Sequence, residues 1–261
     1  SNFEAKSVIN GYGFVNRYSI LRKRLNKSKQ SKTYSYDNEL TSIKLPDYYN
    51  GQSTNSEYKS YLKGRGISSP EEKLFKIGFC DKGFYTNRVI LPVIQDNKLY
   101  GYSARSIYNP PNDLTNVGKK VWVKVNNYKK TLFPKGFCKS KLLYNLDNCK
   151  KDYVVITEGS FDAIAVHKCV KSAVAIFGTS MSITQSILLK KHKPKKVYIF
   201  LDSGFNKEAV IIAKDLAQLG LNCNIVQCPK NLDPGDLSSR EIENCIDSSQ
   251  RFKLKKILTF I

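Results

Sequence analysis

Val154-Val155-Ile156-Thr157-Glu158-Gly159-Ser160-Phe161-Asp162-Ala163 decides how this chain folds. Its run of β-branched residues predicts a buried strand. Glu158 ends that strand, Gly159 makes the turn, and Ser160 opens a helix carrying a second acid, Asp162. A carboxylate at the carboxyl end of a parallel strand sits where open α/β sheets place their ligands. If further acids reach the same edge, together they would hold a hard metal ion.

Working outward from this stretch, the downstream pattern alternates without break. Strands are expected at 153–157, 173–176, 196–201 and 222–227, with helices at 160–169, 183–191 and 206–219. In the last helix Ala209, Ile212, Ala213 and Leu216 fall on one face at helical spacing. Continuous apolar strands alternating with amphipathic helices imply a mostly parallel sheet covered by helices on both faces. Two more acidic motifs follow: Asp202, closing a strand ahead of Ser203-Gly204, and the turn Asp233-Pro234-Gly235-Asp236. Taken singly these acids read as helix N-terminal charges, an N-cap and an ordinary turn. Occurring together at the ends of successive βα units, they read as a cluster. Crowded carboxylates repel unless a cation neutralises them, and an oxygen-only set suits Mg²⁺ or Mn²⁺.

The upstream half differs in composition. Residues 1–150 carry 27 Lys and Arg against 11 Asp and Glu (+16), whereas 151–261 carry 16 against 11 (+5). This excess suits a polyanion, nucleic acid first, although a solubility surface gives the same count. A short helix is expected at 57–63, ending at Gly64. Strands at 88–94 and 99–105 pair through Asp96-Asn97, and Val121-Trp122-Val123-Lys124-Val125 is a further β-branched run. The organisation expected is a basic arm or linker (1–50), with the run Arg22-Lys23-Arg24-Leu25-Asn26-Lys27-Ser28-Lys29, a basic α+β subdomain (51–150), an α/β subdomain (151–250) and a tail (251–261). The seven cysteines form no C-x-x-C pair, which argues against structural zinc and a disulfide framework and for a reducing, cytoplasmic compartment. No membrane-length apolar run and no signal peptide are seen. His167 and His192 fall on expected helices and read as surface residues, while Tyr102 and Trp122 read as core, with stacking on bases the alternative.

Together these motifs resemble a family. Glu158-Gly159-x-x-Asp162-Ala163, a strand ending in Asp202 and Asp233-Pro234-Gly235-Asp236 look like the TOPRIM domain of primases and topoisomerases. Ile176-Phe177-Gly178-Thr179-Ser180 is similar to a primase strand that ends at a Gly-Thr pair. Upstream, Tyr61-Leu62-x-x-Arg65-Gly66-Ile67 with Phe75-x-Ile77-Gly78, the segments Arg88–Ile94 and Gly101–Arg105, and Phe133-Pro134-Lys135-Gly136 with Leu143-Tyr144 resemble the RNA-polymerase core of bacterial-type, DnaG-like primases, in a phage or mobile-element version. The resemblance runs in the family's order from about 57 to 247.

The resemblance implies a DNA-directed RNA polymerase, a nucleotidyltransferase that makes short RNA primers for DNA replication. Its partners would be a single-stranded DNA template and NTPs, with room for a separate replicative helicase and no role for a membrane. Glu158, Asp162, Asp202, Asp233 and Asp236 would form the catalytic patch, with Glu158, Asp202, Asp233 and Asp236 as ligands of Mg²⁺ or Mn²⁺. Arg65, Arg88, Arg105 and Lys135 match positions that face template or nucleotide phosphates. One position departs: Gly204 stands where the family's second motif carries a second aspartate. That departure keeps open a catalytically degenerate DNA-binding protein, and a TOPRIM nuclease is the other alternative. The sequence contains no G-x-x-x-x-G-K-[ST] loop, hence no helicase motor of that type.

Overall fold

The computed structural model describes residues 40–109, 115, 118–119 and 128–253. The basic run at 22–29, the strand expected at 121–125 with Trp122, and residues 254–261 lie outside them.

The first half builds an antiparallel sheet in the order β1 (Tyr49–Gly51), β2 (Gly78–Cys80), β3 (Arg88–Gln95), β4 (Lys98–Ser106) and β5 (Thr131–Leu132). The expected hairpin forms between β3 and β4. Asp96 and Asn97 both have positive φ (52° and 60°), the two-residue turn whose twist matches its strands. Helix α1 (Ser56–Gly64) starts where the Asn55 side chain accepts from the Tyr58 amide (2.9 Å). Tyr58 and Leu62, one turn apart, bury its apolar face with Phe79, Val89 and Leu91 of the sheet. In α2 (Ser69–Leu74) the buried Glu72 receives the Tyr58 hydroxyl (2.6 Å) and the Lys59 ammonium (2.7 Å), which ties the two helices together. A buried carboxylate is tolerable because both partners reach it.

The second half builds a sheet in the order β10-β9-β8-β6-β7. Strands β6 (Tyr153–Thr157), β7 (Ala173–Ala175), β8 (Lys196–Ile199) and β9 (Cys223–Ile225) are parallel, and β10 (Gln250–Arg251) pairs antiparallel on the β9 edge. Helices α3 (Ser160–Val170), α4 (Ile183–His192), α5 (Asn206–Gln218) and α6 (Ser239–Asp247) cover both faces, as the alternation predicts. Val154 and Ile156 pack with Leu189 of α4 and Ile212 of α5, while Val155 packs on the other face with Val166 of α3 and Ile242 of α6. Each such side chain, fully buried, contributes about 1.5–3 kcal/mol.

The ladders are shorter than expected. β8 stops at Ile199 and β9 at Ile225, yet Phe200 N still donates to Ile156 O (2.8 Å) and Val226 N to Ile199 O (2.9 Å). The chain therefore stays extended past the regular pairing, up to the acids.

Two features position the site. After β7 the chain crosses β6 and lays β8 on its other side, so the strand order reverses at β6. Such a reversal opens a crevice at the carboxyl ends of the flanking strands, here β6 and β8. Helix α3 is also shared between the halves: its Ala163 and Ile164 belong to the cluster that contains Tyr58, Leu91 and Val93.

This shared position corrects the expectation for His167, which is buried (4% exposed) rather than on the surface. Its Nδ1 accepts from the Asn145 amide (2.9 Å), and its ring meets Phe75 edge-on. Tyr102 is buried, as expected. All seven cysteines are free, and among the described residues no helix is long and apolar enough to cross a membrane.

Candidate active site

Glu158 directly follows β6, and Asp202 follows the Phe200-Leu201 extension of the neighbouring β8. The third motif forms a short 3-10 turn, Pro234–Asp236, at the same edge. Asp162 joins the first motif to the third. Its Oδ2 accepts from Gly159 N (3.1 Å) and its Oδ1 from Gly235 N (3.2 Å), across 73 residues of chain. A Cβ on Gly159 or on Gly235 would come within 2.6 Å of one of these oxygens, so the approach requires glycine at both. Asp236 Oδ2 accepts from Asp233 N (3.2 Å), and Ser203 N donates to Leu232 O (3.1 Å), which ties the second motif's turn to the third motif's loop.

Burial and mutual repulsion shift three of these acids. Burial and then the Asp162, Glu158, Asp233 and Asp236 carboxylates push Asp202 up to about 8. Burial and Asp233 push Asp162 up to about 6, against the lowering effect of its two backbone amides and of Arg65. Glu158 is also raised, by burial first, then by Asp162 and Asp233, against a smaller opposing effect of the neighbouring Asp202 carboxyl. All five predicted acids thus interact. Asp233 and Asp236 form the exposed rim, while Glu158 and Asp202 form the interior.

The predicted cations divide into two groups. Arg65 lies over the Tyr61 and Phe161 rings (5.1 and 4.5 Å to the centroids), within electrostatic reach of Asp162. Arg105 is half-buried, and its Nε has no hydrogen-bond partner among the protein atoms. It lines a cleft of about 190 Å³ with Glu158, Gly159 and Ser160. Arg88 instead donates to the carbonyls of Ala104 (3.0 Å) and Lys129 (2.8 Å), which anchors the approach to β5. Lys135 is exposed in the turn after β5. Lys130, which the sequence reading did not single out, has its pKa lowered by burial and by Arg105 and Arg65, against the pull of Asp233 and Asp162. It therefore lies within electrostatic reach of Arg65, Arg105 and the acids. The only sequence signal was the basic pair Lys129-Lys130 ahead of β5, one of several such pairs.

Glu158 Oε2 and Asp202 Oδ1 are buried without a hydrogen-bond partner. Desolvated carboxylate oxygens without donors are costly, and a divalent cation removes that cost. The oxygen-only donors therefore fit Mg²⁺ or Mn²⁺. Among the described residues no three acidic, His or Cys side chains close into a ready-made metal cage. Mg²⁺ needs none, since it commonly takes one or two carboxylates and completes its shell with water and substrate phosphate.

Comparison with known proteins agrees with this geometry. A family model described as Toprim-like matches residues 155–238. The chain is 29% identical over 211 residues to the DNA primase of Helicobacter pylori, covering 69% of this chain and 37% of that protein. To the DNA primase of Clostridium acetobutylicum it is 24% identical over 247 residues, covering 81% and 39%. The chain thus spans less than two-fifths of the length of these relatives. In structure it matches the Aquifex aeolicus primase (zinc-binding and RNA-polymerase domains) with a TM-score of 0.62 at 21% identity, over 76% of this chain and 57% of that one. It matches a DnaG primase catalytic domain bound to single-stranded DNA with a TM-score of 0.59 at 18% identity, over 91% and 81%. An antiparallel sheet packed through one helix onto a Toprim-like sheet, with acids at the switch point and sequence relatives that are primases, gives this chain the architecture of a DnaG-like primase core with a TOPRIM domain.

Proposed function

We propose that this chain is the catalytic core of a DNA primase, which joins NTPs into short RNA on a single-stranded DNA template. The observation that carries this reading is that Arg105 lines one cleft with Glu158, whose buried Oε2, like Asp202 Oδ1, has no hydrogen-bond partner, while Arg65 and Lys130 lie within electrostatic reach of Asp162. Anionic and cationic groups in one cleft suit a triphosphate bound through a divalent cation.

When bound, Mg²⁺ or Mn²⁺ supplies neutralisation of charge on the triphosphate and on the attacking hydroxyl. Glu158 and Asp202 would hold it, with Asp233 and Asp236 at the rim. Asp162 fixes the two glycine turns and so sets where Glu158 and the 233–236 turn stand. Arg65, resting on the Tyr61 and Phe161 rings, and Arg105 would orient the phosphates, the guanidinium fork suiting paired phosphate oxygens. Arg88 would act by holding the strand approach, and Lys135 from the surface by charge alone. The +16 balance of residues 1–150 supports a track for the template backbone. A separate replicative helicase is the partner this reading proposes.

The test is synthesis. Incubated with mixed-sequence single-stranded DNA, labelled NTPs and Mg²⁺ or Mn²⁺, the chain should yield short RNA, and Glu158→Gln should yield none. Metal-independent DNA binding without product would instead support the degenerate reading that Gly204 favours. Metal-dependent cleavage of the template would support a nuclease, a reading that gives the basic half no task.

A further inference from the structure

Beside the acidic edge stands a column of aromatic rings. Phe137 lies against the bare backbone of Gly101 in β4, where a Cβ would meet the ring at 2.1 Å. Phe133 stacks on Phe137, with centroids 5.0 Å apart and planes 7° from parallel. Phe177 stands edge-on to both rings, at 6.2 and 5.4 Å and 89° to each. Phe177 is held at a positive φ (60°), a conformation costly for a bulky residue, and is steadied by an edge contact with Tyr144.

The column ends in water. Phe133 is 39% exposed above the half-buried Phe137, and it lines the same cleft as Arg105, Glu158 and Phe177. A ring supported from below, fixed from the side and open above is pre-organised to receive another flat ring. The neighbouring side chains specify what that ring would be attached to. Arg105 and Lys130 attract phosphate, and Lys135 follows two residues after Phe133.

Resting on the primase reading, we propose that Phe133 is a stacking platform for a nucleobase, with Phe137 and Phe177 as the side chains that position it. Every base presents a π-face, so the platform accepts any of them and leaves the choice of sequence to pairing. The base belongs either to the incoming nucleotide or to the template strand, and the two are separable by experiment.

The experiment compares Phe133→Ala, Phe133→Leu and Phe133→Tyr with the unmodified chain, measuring binding rather than synthesis. The ligands are ATP with Mn²⁺, a labelled single-stranded oligodeoxynucleotide, and two ligands without bases, inorganic tripolyphosphate with Mn²⁺ and an abasic oligomer. The Ala and Leu variants should bind a base-bearing ligand roughly ten- to a hundred-fold more weakly, as loss of one stacked base predicts. The Tyr variant should bind it within about threefold of the unmodified chain, and all proteins should bind the base-free ligands alike. Loss confined to ATP assigns the platform to the incoming nucleotide, and loss confined to the oligomer assigns it to the template. The proposal is overturned if Leu binds as well as Phe, or if the base-free ligands weaken in parallel, which would make Phe133 a packing residue. If the unmodified chain makes no primer yet shows the expected pattern, the polymerase reading falls and the platform stands. Primer synthesis with base binding indifferent to Leu does the reverse.

Discussion

Glu158 and Asp202 leave neighbouring parallel strands, and each is followed within two residues by a glycine, yet the two turns are held in opposite ways. Gly159 is pressed against Asp162, which also grips Gly235, so the first turn is stapled to the third. Gly204 has φ +93° and no atom within 4 Å of where a Cβ would stand. The first turn is fixed by glycine packing against Asp162, the second by its backbone conformation and the bond from Ser203 N to Leu232 O. Where a family relative would place another carboxylate, this chain has open space.

The comparison is broken most severely by filling the packed turns. Gly159→Ala or Gly235→Ala should displace Asp162 and lower primer synthesis on the order of a hundredfold, the usual result of misplacing a site by about an ångström. Circular dichroism should show an unchanged fold. Activity within threefold of the parent would mean that the staple is not needed. Asp162→Asn keeps the shape and one acceptor oxygen but offers an NH₂ to an amide that needs an acceptor. We expect a roughly tenfold loss of activity and a lower Tm.

His167 tests the region behind the staple. Burial, and next the Lys171 ammonium, lower its pKa from 6.5 to about 4, while the Ala173 amide opposes the shift. The unfolded chain binds the proton at a higher pH than the folded one. The folded state therefore loses stability as pH falls from about 6.5 to about 4, by about 3 kcal/mol in total, and gains none above that window. Urea melts at pH 7 and pH 4.5 should show a smaller difference in His167→Asn than in the parent, and equal slopes would refute the burial argument.

The open turn predicts the smaller effects. Asp202→Asn removes one of several crowded like charges, so it should raise the metal-free Tm by a few degrees. A fall in Tm would show that the acids are not strained without metal. Gly204→Asp places a carboxylate in free space at a cost of about 1 kcal/mol for the positive φ. Mn²⁺ titration should show several-fold tighter binding, and unchanged affinity would mean that this position does not face the metal.

What the sequence made legible follows from how local each signal is. The βα alternation and the positions of Glu158, Asp202, Asp233 and Asp236 depend on strand ends, and a parallel sheet aligns strand ends automatically. The bond from Asp162 to Gly235 was not legible, because no periodicity reports a contact 73 residues away. His167 was misread because α3 carries packing on two sides, and a surface reading assumes one. Lys130 and the Phe133–Phe137 stack were missed for a similar reason: each depends on what folds opposite a short irregular segment. Arg88 was read as a phosphate contact, and its visible partners are the backbone carbonyls of Ala104 and Lys129.

The segment joining the two sheets has a practical consequence. Residues 142–149 contain little regular structure, yet Leu142, Leu143, Tyr144, Leu146 and Cys149 are buried. Asp147 accepts from both turn amides of the β3–β4 hairpin (3.1 and 3.0 Å), and Tyr144 bridges to Ala175. A protease should therefore pass over this stretch while the protein is folded, although it resembles a linker. Splitting the gene here would expose both cores at once, so neither fragment should remain soluble without the other.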